Sequence, residues 1–566
     1  MSRSTDRREF LLQAMAGSGI AAAASLAASP AHAAFAQPAK HRRHELIEAA
    51  HFGRKQLATS RKGMAICTHP LASQEAVDVL KEGGNACDAA LAASLTQTIV
   101  EPHMTSITGV LSMLYFDAKS GATTYVNGSG NAPQAPLHGF NAGDLSGGRG
   151  VAVPGFWAGF EAAHARHGRL DRKRLIAPAI HYARNGFETH PFLWGEMFLQ
   201  AHRTGLTEQG REIFLPSNAL PRPGDMLFQK RAADTLEALA AEGNEYFYRG
   251  AFAREFVNVV RGAGGVITLD DMAAYEVRWQ EPSWGTYRGY RIAAAPPPDH
   301  GGSHLIEILN MVELLDLQRL GPPTQSAEAL YQMIRIVSRV YQDGSAQHDP
   351  RSHYLPMDVL LSKEYAAMRF KLLQMDTQLS KETPVVPPGS THVTVADADG
   401  NVATILHSIM SQPWTNGLFA GGVSVVAAGG HFLRVMPRPG DRMSAYVCPN
   451  IVFKGDRPLL ASGSPSVGLL ATVLQNIVNI LDFGLRIDES VHLPRFGGTS
   501  SAMPGAVMIE VDVDEKLRRS VAERGMKLEV VNPWNWNHGS FEGIHMDGGV
   551  YHACGDPRRS SMAIGA

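Results

Sequence analysis

Pro384-Val385-Val386-Pro387-Pro388-Gly389-Ser390-Thr391-His392-Val393-Thr394-Val395-Ala396-Asp397-Ala398-Asp399-Gly400-Asn401-Val402-Ala403-Thr404-Ile405-Leu406-His407-Ser408 changes character sharply at Gly389. Before it, Pro384 and Pro387-Pro388 fix φ and remove backbone donors, which predicts a stiff, exposed break. After it, Thr391 to Val395 alternates and is rich in β-branched residues, Asp397 to Asn401 reads as a turn, and Val402 to Leu406 returns as a second strand. If Ala396 pairs with Val402, Ser390 falls opposite Ser408. Two hydroxyls then share one end of a hairpin, directly after a glycine whose carbonyl can be approached closely for want of a Cβ. Attack of the Ser390 hydroxyl on the Gly389 carbonyl would give an ester. Water would then release a free α-amine, with an unperturbed pKa of about 7.7–8.0, able to act as base for its own hydroxyl. The same pattern also fits an ordinary polar strand end.

Outward from this hairpin, the chain reads as layered α+β. Met64 to Cys67 suits a short strand. A helix follows, with Ser73 as its expected N-cap and Gly83-Gly84-Asn85 as its stop. Ala86 to Val100 is apolar nearly all round and should be a buried helix. Residues 110–127 alternate as a hairpin about Lys119-Ser120-Gly121. Residues 150–350 read mainly as helices, with a conspicuous loop at Ala295 to Gly302 before a helix at 303–317. Further strands are expected near 423–427, 449–453 and 459–462, and a helix at 467–484. Strands followed by buried helices in both halves argue an α+β layered fold.

Composition excludes several classes. Lys and Arg number 52 against 54 Asp and Glu, and no long run of either sign occurs, so neither nucleic acid nor an anionic surface is indicated as a partner. Cys67, Cys87, Cys448 and Cys554 form no CxxC pair and no zinc spacing, and are expected to be buried thiols. No metal site, nucleotide loop or cofactor lysine motif is present, so no cofactor is expected. At the N-terminus, Asp6-Arg7-Arg8-Glu9-Phe10-Leu11-Leu12, an alanine-rich stretch and Ala31-His32-Ala33 follow the order of a twin-arginine signal peptide, residues 1–33. The expected location is periplasmic or secreted, with no membrane span left after signal removal.

Several motifs in order resemble the γ-glutamyltransferase family of N-terminal-nucleophile hydrolases. They are Gly83-Gly84-Asn85-Ala86-Cys87-Asp88-Ala89-Ala90, Glu101-Pro102, Val153-Pro154-Gly155, the 390–401 signature, Gly463-Ser464-Pro465, Leu493-Pro494-Arg495-Phe496 and Asp556-Pro557-Arg558. The resemblance implies a four-layer αββα sandwich, made as one precursor and cut into a large subunit (34–389) and a small one (390–566). It implies a small-molecule amide as substrate. The family's nucleophile position, usually Thr, is Ser390, with Thr391 as the alternative one residue on. The family's second hydroxyl falls on Ser408, and its oxyanion hole on the backbone N–H groups of Ser466 and Val467. Cleavage is expected between Gly389 and Ser390.

The groups with which the family grips glutamate are replaced. Its Arg position reads Ser129, its Asn falls near Met410, its acidic pair on Gly430-His431 and its Ser pair on Ala445-Tyr446. A charged head group without partners is expensive to desolvate. The expectation is therefore an uncharged acyl group, with Met410, Trp414, His431, Tyr446 and Trp534 as pocket residues. Two alternatives stand beside it. One is a true γ-glutamyl hydrolase or transpeptidase using His431, Arg434 or Arg442. The other is a non-catalytic binding relative.

Overall fold

The computed structural model describes residues 44–342, 347–375, 389–500 and 502–566. The expected signal peptide, residues 1–33, and the expected break at Pro384–Pro388 lie outside them. The hairpin forms from Thr391–Asp397 and Val402–Ser408, with Ala396 opposite Val402 and Thr391 opposite His407. Its turn is tied by one side chain. Asp397 Oδ1 accepts from the N–H groups of Asp399 and Asn401 at 3.0 Å each, and Gly400 takes φ +87°. The other oxygen, Oδ2, accepts from Asn401 Nδ2 and from the Ala86 N–H. That N–H opens the fully buried helix Ala86–Val100, so one carboxylate fixes both the turn and a helix N-terminus.

The hairpin lies inside a seven-stranded sheet. Across it run Met562–Gly565, Gly63–Cys67, Thr391–Asp397, Val402–Ser408, Val110–Asp117, Ala122–Gly128 and Arg278–Gln280. A second seven-stranded sheet runs Leu57–Ser60, Val550–Cys554, Ile544–Asp547, Arg457–Ser462, Asn450–Lys454, Tyr290–Ala294 and Ser283–Tyr287. Three apolar cores separate the layers. One joins the first sheet to helices that include Pro70–Lys81, Ala86–Val100 and Phe156–His167. Another joins the second sheet to Gly301–Val312, Ala327–Gln342 and Leu469–Leu481. The third, with Met64, Ile66, Leu114, Ala396, Val402, Ile451 and Ala461, lies between the sheets. The fold is thus the four-layer αββα sandwich.

Strand alternation assigns the hairpin's two faces. Val393 and Val395 point into the helix-side core, and Ala396 into the core between the sheets. His392 and Thr394 also face the second sheet. The ring of His392 lies against Gly463, and Thr394 Oγ1 donates to the Glu542 carbonyl at 2.8 Å.

Several element boundaries differ from the sequence expectation. The first long helix begins at Pro70, with His69 as its N-cap accepting from the Leu71 N–H, and Ser73 lies inside it, donating to the Met562 carbonyl at 2.7 Å. Proline at the first helical position carries no N–H to satisfy, so the helix starts there and not at the serine. The helix expected over 303–317 spans Gly301–Val312, with Leu317–Leu320 separate. The strand expected at 423–427 is only Val423–Ser424, and that expected helix at 467–484 is Leu469–Leu481. All four cysteines are free and buried.

Candidate active site

The two hairpin strands end at the same rim of the sheet, and their terminal hydroxyls converge on one carbonyl. Ser390 Oγ lies 2.7 Å from the Gly389 carbonyl oxygen and 3.1 Å from Ser408 Oγ. Ser408 Oγ also donates to the Gly389 oxygen, and it accepts from the Met410 N–H at 2.8 Å. Met410 holds this position in the left-handed region, at φ +63°. Gly389 is irreplaceable where it stands, since a Cβ there would meet the Ser411 carbonyl oxygen at 1.7 Å. On the far side, Arg559 Nη2 donates to the Ser390 carbonyl at 3.0 Å.

Thr391 faces the opposite way. It is fully buried, with Oγ1 3.0 Å from His407 Nε2. His407 also contacts Thr105 Oγ1 at 2.7 Å and Gln97 Oε1 at 2.9 Å, and burial pushes its pKa well below the ordinary histidine value. The Thr391 hydroxyl is therefore held within a polar network on the helix side of the sheet.

The Gly463-Ser464-Pro465 turn reaches this rim from the second sheet. Gly463 packs so tightly on His392 that a Cβ would come within 2.1 Å of the imidazole. His392 is two residues along the strand from Ser390 and shares its face, so the turn is seated beside the hydroxyl pair. Ser466 sits at φ +78°, a conformation natural to glycine and strained for serine. Its side chain donates to the Asn537 carbonyl at 3.2 Å, and the Gly468 N–H donates to the same oxygen at 3.1 Å. Among the described residues, the backbone N–H groups of Ser466 and Val467 have no acceptor.

The five expected pocket residues disperse. Met410 and Trp414 belong to the core beneath the first sheet, and Trp414 Nε1 donates to Ser424 Oγ at 3.0 Å. Tyr446 packs in the opposite helix-side core, 5.5 Å from the His300 ring. His431 is buried, and desolvation together with Arg434 pushes its pKa down to about 3. Ser129 Oγ donates to Asp299 Oδ1 at 2.7 Å, where Ser112 and Tyr125 also converge on the carboxylate. Arg442 is fully buried and donates to the Ser129 carbonyl, the Tyr275 hydroxyl and the Glu276 carbonyl. Trp534 is half-buried and lies over Gly53. A cleft of about 210 Å3 is lined instead by other residues, among them Val467, Gln412, Pro413, Glu196 and Trp536.

Sequence reading passed over Arg559. It is fully buried, with its guanidinium 5.0 Å from the Phe192 ring and 5.4 Å from the Trp536 ring, and Nη1 3.9 Å from Glu101 Oε1. Burial lowers its pKa and raises that of Glu101. Its neighbour Arg558 pairs with Glu510 at 2.6 Å and Asp556 at 3.3 Å, and Arg495 pairs with Asp556 at 2.6 Å. The available signal was the second arginine of Asp556-Pro557-Arg558-Arg559, a charge with no acidic neighbour left for it in sequence.

A four-layer αββα sandwich with hydroxyls gathered at the rim of its central hairpin defines an N-terminal-nucleophile amidohydrolase. More specifically, the chain belongs to the gamma-glutamyltranspeptidase family, whose model matches residues 72–566. It is 28% identical over 553 residues to the glutathione hydrolase proenzyme of Bacillus subtilis (strain 168), covering 90% of this chain and 92% of that one. It is 30% identical over 509 residues to the acylase ACY 1 proenzyme of Pseudomonas sp. (strain SE83), covering 84% and 88%. Among solved structures, the crystal structure of cephalosporin acylase from Bacillus halodurans superposes with a TM-score of 0.78 at 26% identity, covering 91% of this chain and 97% of that one. Among the described residues no helix is long and apolar enough to cross a membrane.

Proposed function

We propose that the chain is an exported precursor that cuts itself between Gly389 and Ser390, and that Ser390 then serves as the nucleophile of an acyl-amide hydrolase or transferase that does not prefer glutamyl substrates. In this reading residues 1–33 are a twin-arginine signal, 34–389 the large subunit and 390–566 the small one. The carrying observation is the approach of both Ser390 Oγ and Ser408 Oγ to the Gly389 carbonyl. Attack of Oγ on the Gly389 carbon breaks the peptide C–N bond and forms an ester, and the proton passes to the departing Ser390 nitrogen. Water cleaves the ester, leaving a carboxylate on Gly389 and a free α-amine beside a free hydroxyl on Ser390. In turnover that amine takes the hydroxyl proton as Oγ attacks a substrate amide, and returns it to the leaving amine. Ser408 orients the nucleophile, while Ser466 and Val467 present N–H groups to the oxyanion.

The pocket supports a non-glutamyl acyl group. At the family's head-group positions, Ser129 is bonded to Asp299 and His431 is buried and held neutral; Arg442, the residue a γ-glutamyl reading could use instead, is occupied by backbone and tyrosine oxygens. Burying an ionic head group without partners costs at least several kcal/mol, and about 1.4 kcal/mol is tenfold in affinity. The acylase relative makes such a substrate class chemically familiar within the family. The test has two parts. N-terminal sequencing of the small band of mature protein is expected to begin Ser-Thr-His-Val, and a start at Thr391 would move the nucleophile by one residue. In a p-nitroanilide panel, the γ-glutamyl compound is expected to show kcat/KM at least about a hundredfold below the best uncharged acyl compound. Should the glutamyl compound be the best substrate, the specificity reading fails.

A further inference from the structure

Two of the residues lining the 210 Å3 cleft are a single contact from the Gly389–Ser390 bond, and a third belongs to the turn seated beside the hydroxyl pair. Gln412 follows Ser411, whose carbonyl oxygen abuts Gly389. Trp536 stacks on Arg559, which holds the Ser390 carbonyl. Val467 carries one of the two unengaged N–H groups of the turn. The cleft therefore opens beside the candidate nucleophile, yet Ser129, Met410, His431 and Tyr446, the positions at which the family grips the acyl group, are all absent from its lining.

The lining holds a single charged side chain, Glu196, on the helix Pro191–Thr204. Glu196 is only 6% exposed, and no hydrogen bond or ion pair engages it among the described residues. Arg559 does not neutralise it by contact, since its ion pair is with Glu101. Around it stand Gln200, Gln412, Leu199, Met508 and Trp536, a set of neutral amides and apolar surfaces. The Glu196 side chain is nearly buried but its carboxyl still reaches the cleft, where a charge that has lost most of its water gains from a cationic ligand. We infer that this cleft is the subsite for the amine side of the substrate, and that Glu196 is its anchor for a protonated amino group carried by the leaving or accepting amine. Burial pushes the Glu196 carboxyl up to about 7, the direction that an incoming cation would reverse.

The inference rests on Ser390 as the nucleophile, and the experiment separates the two. Binding of 1,3-diaminopropane, with n-butanol as the neutral comparison, is followed by ligand-observed NMR on uncut Ser390→Ala protein, which needs no turnover. Saturable binding of the diamine that is lost in Ser390→Ala/Glu196→Gln, and weakened but kept with Glu196→Asp, is the expected result. In mature enzyme, the best acyl group of the panel is placed on 1,3-diaminopropane and on n-butylamine. The ratio of kcat/KM for the first over the second is expected to be at least tenfold, and to fall at least fivefold in Glu196→Gln. A ratio near one in the parent enzyme, or one unchanged by Glu196→Gln, overturns the inference. So does a Glu196-dependent preference for 6-aminohexanoyl over heptanoyl p-nitroanilide, which would place the cation on the acyl side. Absence of cutting and of any turnover, with diamine binding intact, would instead sink the nucleophile.

Discussion

Ser390 is distinguished from its neighbour Thr391 by which way it points, and one residue of strand alternation sets that. Ser390 meets Ser408 and the Gly389 carbonyl, whereas Thr391 is fixed to His407 on the other face. Ser390→Ala is accordingly expected to abolish both cutting and turnover, because in the proposed mechanism one hydroxyl performs both. Ser408→Ala should leave cutting detectable and slow turnover about tenfold to a hundredfold, since it orients and does not attack. Gel analysis beside p-nitroanilide assays reads both, and parent-like maturation of Ser390→Ala would remove Ser390 from its role. Arg559 has a different signature. Its buried positive charge lies against the Ser390 backbone, so it disfavours the protonated form of the amine that cutting exposes. In the proposed mechanism the amine works neutral, so kcat/KM is expected to fall as pH drops through its pKa. Removing the charge in Arg559→Gln raises that pKa and should move the acid limb up by about one unit. A limb that stays put, with only kcat reduced, would show that Arg559 acts through packing alone.

At the scale of elements, the hairpin was legible because its signals are local. Period-two alternation and Asp-x-Asp-Gly-Asn set both the strands and their register, which places Ala396 opposite Val402 as read from sequence. The buried helix Ala86–Val100 was equally plain, being apolar on nearly every face. The cleft was not legible, since Glu196, Gln412, Val467, Thr499 and Trp536 come from five separate segments and only tertiary packing unites them. Nor could sequence say that the Ser129 hydroxyl would be taken by Asp299, 170 residues away. The 463–468 turn lies between these cases. Its motif was visible, but the left-handed conformation of Ser466, at φ +78°, was not. Such strain costs about 1–3 kcal/mol, more for a β-branched residue. Ser466→Gly is therefore expected to keep turnover and thermal stability near those of the parent. Ser466→Val should melt earlier and lose about a hundredfold in kcat as its N–H swings away from the oxyanion. Equal melting and equal kcat for the two variants would mean that the turn carries neither strain nor catalysis.

Over the whole molecule, the proposed cut at Gly389 divides the chain but not the fold. In the first sheet, Thr391–Asp397 and Val402–Ser408 lie between Gly63–Cys67 and Val110–Asp117, so small-subunit strands are flanked on both sides by large-subunit ones. In the second sheet, four small-subunit strands are bounded by Leu57–Ser60 at one edge and by Tyr290–Ala294 and Ser283–Tyr287 at the other. Side chains cross the same boundary. Asp397 caps the Ala86 N–H, Asn401 Oδ1 accepts from the Ala118 N–H at 2.9 Å, and Arg442 donates to the Ser129 carbonyl. All three apolar cores draw residues from both sides of the cut. Obligate interfaces of this kind resemble a domain core cut in half, and separating them would expose unpaired strand edges together with buried apolar surface. The mature protein should therefore run as two bands in denaturing gel, of roughly 38 and 19 kDa by length, yet elute from a native sizing column as one peak holding both. The fragments should part only at denaturant concentrations that unfold the protein, and the two processes should share one midpoint. Elution of the small band alone in native buffer would mean that the cut lies elsewhere, at a position the shared sheets do not bridge.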